Sequence, residues 1–110
     1  PAAAGAEAAI DDTGFLTRSV DTARNEKKRF YDFFRSNGIK FISSQTNFIL
    51  LPLGDISAPL RDGLLKEGII VRLLRFRGSG IIRITVGLPE ENTLLMEKFM
   101  KVYDAACRVA

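Results

Sequence analysis

Between Gly68 and Gly87 the chain carries Arg72, Arg75, Arg77 and Arg83 with no acidic residue among them. A guanidinium is a planar fork of donors that matches carboxylate and phosphate oxygens, and it is costly to bury without a partner. Arginines this dense, flanked by the β-branched runs Ile69–Val71 and Ile81–Val86, point to an anion held off the end of a sheet. A solvated basic edge strand has the same spacing, because Lys and Arg on an edge discourage pairing between sheets. The spacing leaves both readings open. Asn47, at the head of an apolar run, likewise either caps a turn or points into a site as a donor.

Other chemistries lack their parts. There is no histidine to activate a thiol or a hydroxyl, and the single cysteine, Cys107, permits neither an intrachain disulfide nor a zinc site. The Gly78-Ser79-Gly80 run leads into a strand, not a helix, so it is a turn and not a phosphate-cradling loop. Glu90 and Glu91 fall in a helix first turn, where dipole compensation accounts for them. The lysines at 27, 28, 40, 66, 98 and 101 have polar neighbours and nothing that would desolvate one into a nucleophile. Anion recognition by arginine is what remains.

At 110 residues the chain fits one domain with a real core, but is short for an enzyme carrying its own cofactor site. Hydrophobic residues at 46% argue against disorder. A net charge of +3, with both signs mixed along the chain, permits a nucleic-acid partner without indicating one. No apolar run approaches the roughly 20 residues that span a bilayer, and the Ala-rich start lacks a signal peptide's basic region, so a reduced cytoplasmic setting is the default. The abrupt opening at Pro1 in helix-favouring sequence looks like a piece of a longer protein.

The positioning elements follow from periodicity. Residues 2–10 predict a short Ala-rich helix. Leu16, Val20, Ala23, Phe30 and Phe34, widened by Phe33, predict a long amphipathic helix from Asp12 to about Ser36, closed by Asn37 and Gly38. Its charges, Arg24, Glu26, Lys27, Lys28 and Arg29, read as a solvated face. Lys40–Ser43 and Asn47–Leu53 read as strands, the second buried. Asp55 or Ser57 is expected to cap a helix with Pro59 in its first turn, Leu60 and Leu64 on its buried face, and Gly68 at its end. Gly63 inside it costs about 1 kcal/mol against alanine, so this helix relies on packing. Strands at Ile69–Val71 and Ile81–Val86, separated by the Gly78–Gly80 loop, precede a last helix from Pro89 that buries Leu95, Phe99, Val102 and Ala106. The expected fold is α+β: a small antiparallel or mixed sheet of three or four strands with helices on one face. Residues 1–36 form leading helices and 37–110 the core.

The succession QTNFILL, a helix ending KEGIIVR, a loop, then GIIRITVGLPEEN before an apolar helix resembles the C-terminal small domain of the pyridoxal-phosphate-dependent class I and II aminotransferases, nearest to the histidinol-phosphate aminotransferases. Residues 37–100 match by motif and 1–36 by helical character only. The resemblance implies that Arg83 pairs with a substrate α-carboxylate, that Arg72 contacts a substrate phosphate, and that Asn47 orients Arg83. It also implies that pyridoxal phosphate and its Schiff-base lysine belong to a large domain not in this chain, leaving the fragment inactive alone. The intact enzyme would then be a homodimer passing amino groups to 2-oxoglutarate, this segment giving half the substrate clamp and a closing lid. Two features depart from the pattern. Leu88 replaces a helix-capping Thr, weakening the last helix by about 1 kcal/mol, and Arg75 and Arg77 fall in a variable loop. Within the superfamily a threonine-phosphate decarboxylase is the alternative. Outside it, the alternatives are a basic module binding nucleic acid or an acidic partner, with Phe76 alone available for base stacking, and a ligand-sensing regulatory domain of the same layer architecture.

Overall fold

The computed structural model describes residues 20–109. The expected helix over 2–10, the helix start at Asp12 and the Leu16 anchor lie outside those residues. Helix α1 runs through 20–36 and ends as Asn37 and Gly38 predict. Gly38 takes φ +68°, the Ile39 N–H donates to the Phe34 carbonyl at 2.9 Å, and the Gly38 N–H donates to that of Arg35. This closure needs a left-handed residue, which glycine adopts without a Cβ clash. Phe30 and Phe34 are fully buried, and Phe33 sits edge-on to Phe34 and Phe99. Val20, expected on the same stripe, is exposed.

Three strands form one antiparallel sheet in the order β1–β3–β2: β1 is Phe48–Leu51, β2 is Arg72–Phe76 and β3 is Ser79–Thr85. The expected strand at Lys40–Ser43 is reduced to one bridge between Ile42 and Leu50. Its continuation is pre-empted because the Ser44 carbonyl accepts from Lys27 Nζ at 2.9 Å. The first hairpin strand is also displaced, from Ile69–Val71 to Arg72–Phe76. The Ile69 N–H is already used to close the preceding helix on the Leu64 carbonyl. Arg77 at φ 52° and Gly78 at φ 83° make a two-residue turn, so Phe76 pairs with Ser79 and Arg75 with Gly80. Positive φ at both central positions gives a turn whose twist matches that of the strands. Ser79 and Gly80 therefore belong to a strand, and Arg75 does not lie in a loop.

Ile49, Leu51, Ile82 and Ile84 are fully buried on one sheet face, against the helices. Helix α2 (Ser57–Lys66) buries Leu60 and Leu64 as its spacing predicts. Neither Asp55 nor Ser57 caps it, because a 3-10 turn at Gly54–Ile56 runs straight into it and the Ser57 N–H bonds the Gly54 carbonyl. A Cβ at Gly63 would stand 2.5 Å from Val102 Cγ1 on the last helix, so the glycine that weakens α2 lets the two helices approach. Helix α3 (Pro89–Val109) buries Leu95, Phe99, Val102 and Ala106, all four expected positions. Without a capping Thr, its N-terminus is held by Glu91, whose Oε1 accepts the Leu88 N–H at 2.9 Å. The architecture is α+β, as the element order predicts. The other sheet face, with Phe48, Leu50, Arg72, Leu74, Ile81 and Arg83, is half-buried to exposed.

Candidate functional site

The register of β2 and β3 puts Arg72 directly opposite Arg83. Side chains at directly opposed positions share one face, with Cβ atoms about 4.5–5.5 Å apart. Leu50 of β1 opposes Arg83 from the other side. Both arginines therefore spring from the sheet face that the described helices do not cover, Arg83 leaning toward β1 and Arg72 toward the outer edge of β2. Among the described residues neither forms a salt bridge with a carboxylate of the chain, whereas Arg29, Arg35 and Arg61 each do. Like charges directly opposed on a sheet are destabilising, and no carboxylate among the described residues offsets the pair.

Arg83 is held from below. Its guanidinium carbon lies 4.2 Å from the centroid of the Phe48 ring, well within cation–π range. Its Nε is buried and has no hydrogen-bond partner among the described residues. A buried N–H without an acceptor costs about 1–3 kcal/mol, and a group left in that state is one an incoming acceptor would satisfy. Burial of Phe48 was expected from the apolar run Phe48–Leu51, but the strand alternates: Ile49 and Leu51 face the helices while Phe48 and Leu50 face the arginines. The run Phe48–Leu51 is apolar at every position, so its sequence carries no alternation from which the two faces could be told apart.

Phe48 is itself positioned by a chain of polar contacts. Its N–H donates to Thr46 Oγ1 at 3.3 Å, that hydroxyl is 2.6 Å from Ser44 Oγ, and Ser44 is tethered to α1 through Lys27. Asn47 lies between these contacts. Its backbone carbonyl accepts the Val86 N–H at 2.8 Å, extending the β1–β3 ladder by one rung. Its side chain is exposed and makes no hydrogen bond to Arg83 among the described residues. Arg72 is exposed and borders a hollow of about 400 Å³ that it shares with Arg61, Ile70 and Leu73. Arg75 is exposed on the strand opposite Gly80, and Arg77 folds back over Phe76, 5.2 Å from its centroid. The register thus sets Arg72, and neither Arg75 nor Arg77, opposite Arg83.

The family model described as Aminotransferase class I and II matches residues 1–99. The chain belongs to that family. Among its relatives, histidinol-phosphate aminotransferase 1 of Mannheimia succiniciproducens is 38% identical over 102 residues, covering 92% of this chain and 28% of the relative. The histidinol-phosphate aminotransferase of Campylobacter hominis is 39% identical over 101 residues, covering 90% and 28%. This chain thus spans little more than a quarter of the curated relatives it matches. Among solved structures, the histidinol-phosphate aminotransferase of Clostridium acetobutylicum superposes with a TM-score of 0.74 at 28% identity, covering 86% of this chain and 30% of that one. The Sinorhizobium meliloti enzyme, crystallised in complex with pyridoxal-5'-phosphate, gives 0.76 at 23% identity, covering 89% and 28%, and supports the fold. Within this aminotransferase family segment no described helix is long and apolar enough to cross a membrane.

The described residues do not themselves fit a cofactor cradle. None of the described lysines is buried, Lys27 is spent on a backbone carbonyl, and Lys101 pairs with Glu67 at 3.2 Å. The arrangement can receive an anion on two guanidiniums.

Proposed function

We propose that this chain is the substrate-clamping small domain of a histidinol-phosphate-like aminotransferase, with pyridoxal phosphate and the Schiff-base lysine held outside the described residues. Its residues bind and orient; they move no proton. Arg83 takes a substrate carboxylate through its fork, stacked on Phe48 so that its plane is set before the ligand arrives. Arg72, on the neighbouring edge strand, takes a second anionic group, the phosphate of a phosphorylated amino compound or the distal carboxylate of a dicarboxylate such as 2-oxoglutarate. Asn47 supports the strand that presents Phe48. The intact enzyme is a cytoplasmic homodimer in which this segment is inactive alone.

The observation that carries the reading is the register pair Arg72–Arg83, without a carboxylate partner among the described residues and with Arg83 Nε unsatisfied among them. The names of the matching relatives favour amino transfer over the decarboxylase alternative. The confinement of the site to two arginines, with Arg77 turned back on Phe76, favours a small anion over a nucleic-acid track.

The test is Arg83→Ala in the full-length protein. Two charge-assisted hydrogen bonds of about 1.5–3 kcal/mol each are lost. At about 1.4 kcal/mol per factor of ten, kcat/KM for a dicarboxylate should fall at least about a hundredfold. An unchanged kcat/KM refutes the assignment.

A further inference from the structure

Glu26 reads in the sequence as part of a solvated charged face. In the fold it is buried, at 6% exposure. Its Oε1 accepts from Arg29 Nη1 at 2.6 Å and from Asn92 Nδ2 at 3.1 Å. Asn92, 2% exposed, in turn grips both backbone groups of Gly87: its Oδ1 accepts the Gly87 N–H at 2.9 Å and its Nδ2 donates to the Gly87 carbonyl at 2.9 Å. Arg29 reaches past Glu26 to Thr93 Oγ1 at 2.8 Å, closing the network on α3. A single acceptor oxygen on α1 therefore fixes the point where the chain leaves β3, four residues after Arg83.

The next residue on α1 does the same at the other strand. Lys27 Nζ donates to the Ser44 carbonyl at 2.9 Å, and Ser44 leads through the Thr46 hydroxyl to the N–H of Phe48. Between these two anchorages the last ladder contact, Val86 N–H to Asn47 carbonyl, ties the segments to each other. Glu26 and Lys27 thus hold, from consecutive positions on one helix, the β3 exit and the β1 entry that bracket the Arg83–Phe48 contact. A buried carboxylate is a poor source of stability, since its desolvation offsets most of what its pairings return, and replacing such groups by apolar ones is often neutral. What it supplies is fixed geometry.

We infer that Glu26 and Lys27 are positioning residues for carboxylate binding, acting through Gly87 and Ser44 to hold the Phe48 ring against the Arg83 guanidinium. The inference rests on the proposed role of Arg83. A small misplacement of a clamp can cost up to a hundredfold, so a loss on the order of tenfold is expected when one anchorage of two is removed.

The experiment is a set of double-mutant cycles in the full-length enzyme. Glu26→Ala and Lys27→Met are each made alone and together with Arg83→Ala, and initial rates are measured against a 2-oxo dicarboxylic acid. Each single variant is expected to raise KM about tenfold with kcat within about twofold. In the Arg83→Ala background the further loss should vanish, because the group being positioned is gone. Glu26→Gln, which keeps an acceptor oxygen at the same place, should restore KM to within about twofold of the parent. Should Glu26→Ala not fold, the Lys27→Met cycle decides alone. An unchanged KM in the single variants, or an equal loss with and without Arg83, overturns the inference while leaving the role of Arg83 intact. A normal kcat/KM for Arg83→Ala by itself overturns the proposed function instead.

Discussion

Removing the Phe48 ring while keeping an apolar side chain, as in Phe48→Leu, isolates what the aromatic face contributes to the clamp. The ring is 36% exposed and its centroid is 4.2 Å from the Arg83 guanidinium carbon. A cation–π contact is worth about 0.5–1 kcal/mol when exposed and about 2 when desolvated, so a half-exposed ring should contribute about 1 kcal/mol. Immobilising a long side chain on binding gives a second route to the magnitude, at about 0.5–1.5 kcal/mol. A ring that already holds the guanidinium meets that cost in advance, and leucine does not. Both routes give about 1 kcal/mol, or about a fivefold drop in kcat/KM for a carboxylate substrate. The assay is initial rate against 2-oxo acid concentration in the full-length protein, with Phe48→Tyr as the control that keeps the ring face. If Phe48→Leu matches the parent, or Phe48→Tyr loses as much as leucine, the ring is a packing residue and stacking has no part in the clamp.

Further expectations concern stability. Gly80→Ala would place a Cβ 2.6 Å from the Gly54 carbonyl oxygen and 2.8 Å from Ser57 Cβ, backbone and near-backbone atoms that cannot swing away. It should lower the unfolding free energy by about 1–3 kcal/mol, read from the urea midpoint. Arg77→Asn relieves a bulky residue held at φ 52° and should raise stability by up to about 1 kcal/mol, less whatever the Arg77 contact with Phe76 returns. Burial, with Cys107 and Asp104 adding to it, pushes the Tyr103 hydroxyl above the ordinary tyrosine range. The unfolded chain then loses that proton first, so stability falls as pH rises past about 10, and Tyr103→Phe should remove that part of the decline.

The helices were legible wherever one apolar period decided them. Leu60 and Leu64, and Leu95 through Ala106, are buried where the 3.6-residue spacing puts them, and both glycine stops, Gly38 and Gly68, adopt positive φ. Strand limits were not, because a strand ends where its partner's hydrogen bonds end. The β-branched content of Ile69–Val71 suggests a strand, yet the turn at Arg77–Gly78 sets the ladder and hands it to Arg72–Phe76. The two arginines of the site were visible as residue types without opposing acids. That they face each other depends on register, which composition does not carry. Glu26 was hidden for the reverse reason. On its own helix it is one charge among eight, and only the long-range partner Asn92 distinguishes it.

The order β1–β3–β2 gives the two arginines unequal footing. Arg83 rides the middle strand, whose amides are occupied on both flanks and should be among the last to exchange with deuterium. Arg72 rides a border strand with one flank unpaired among the described residues. Under the proposed clamp, replacing Arg72 should therefore disturb the sheet less than replacing Arg83, which has a paired strand on either side.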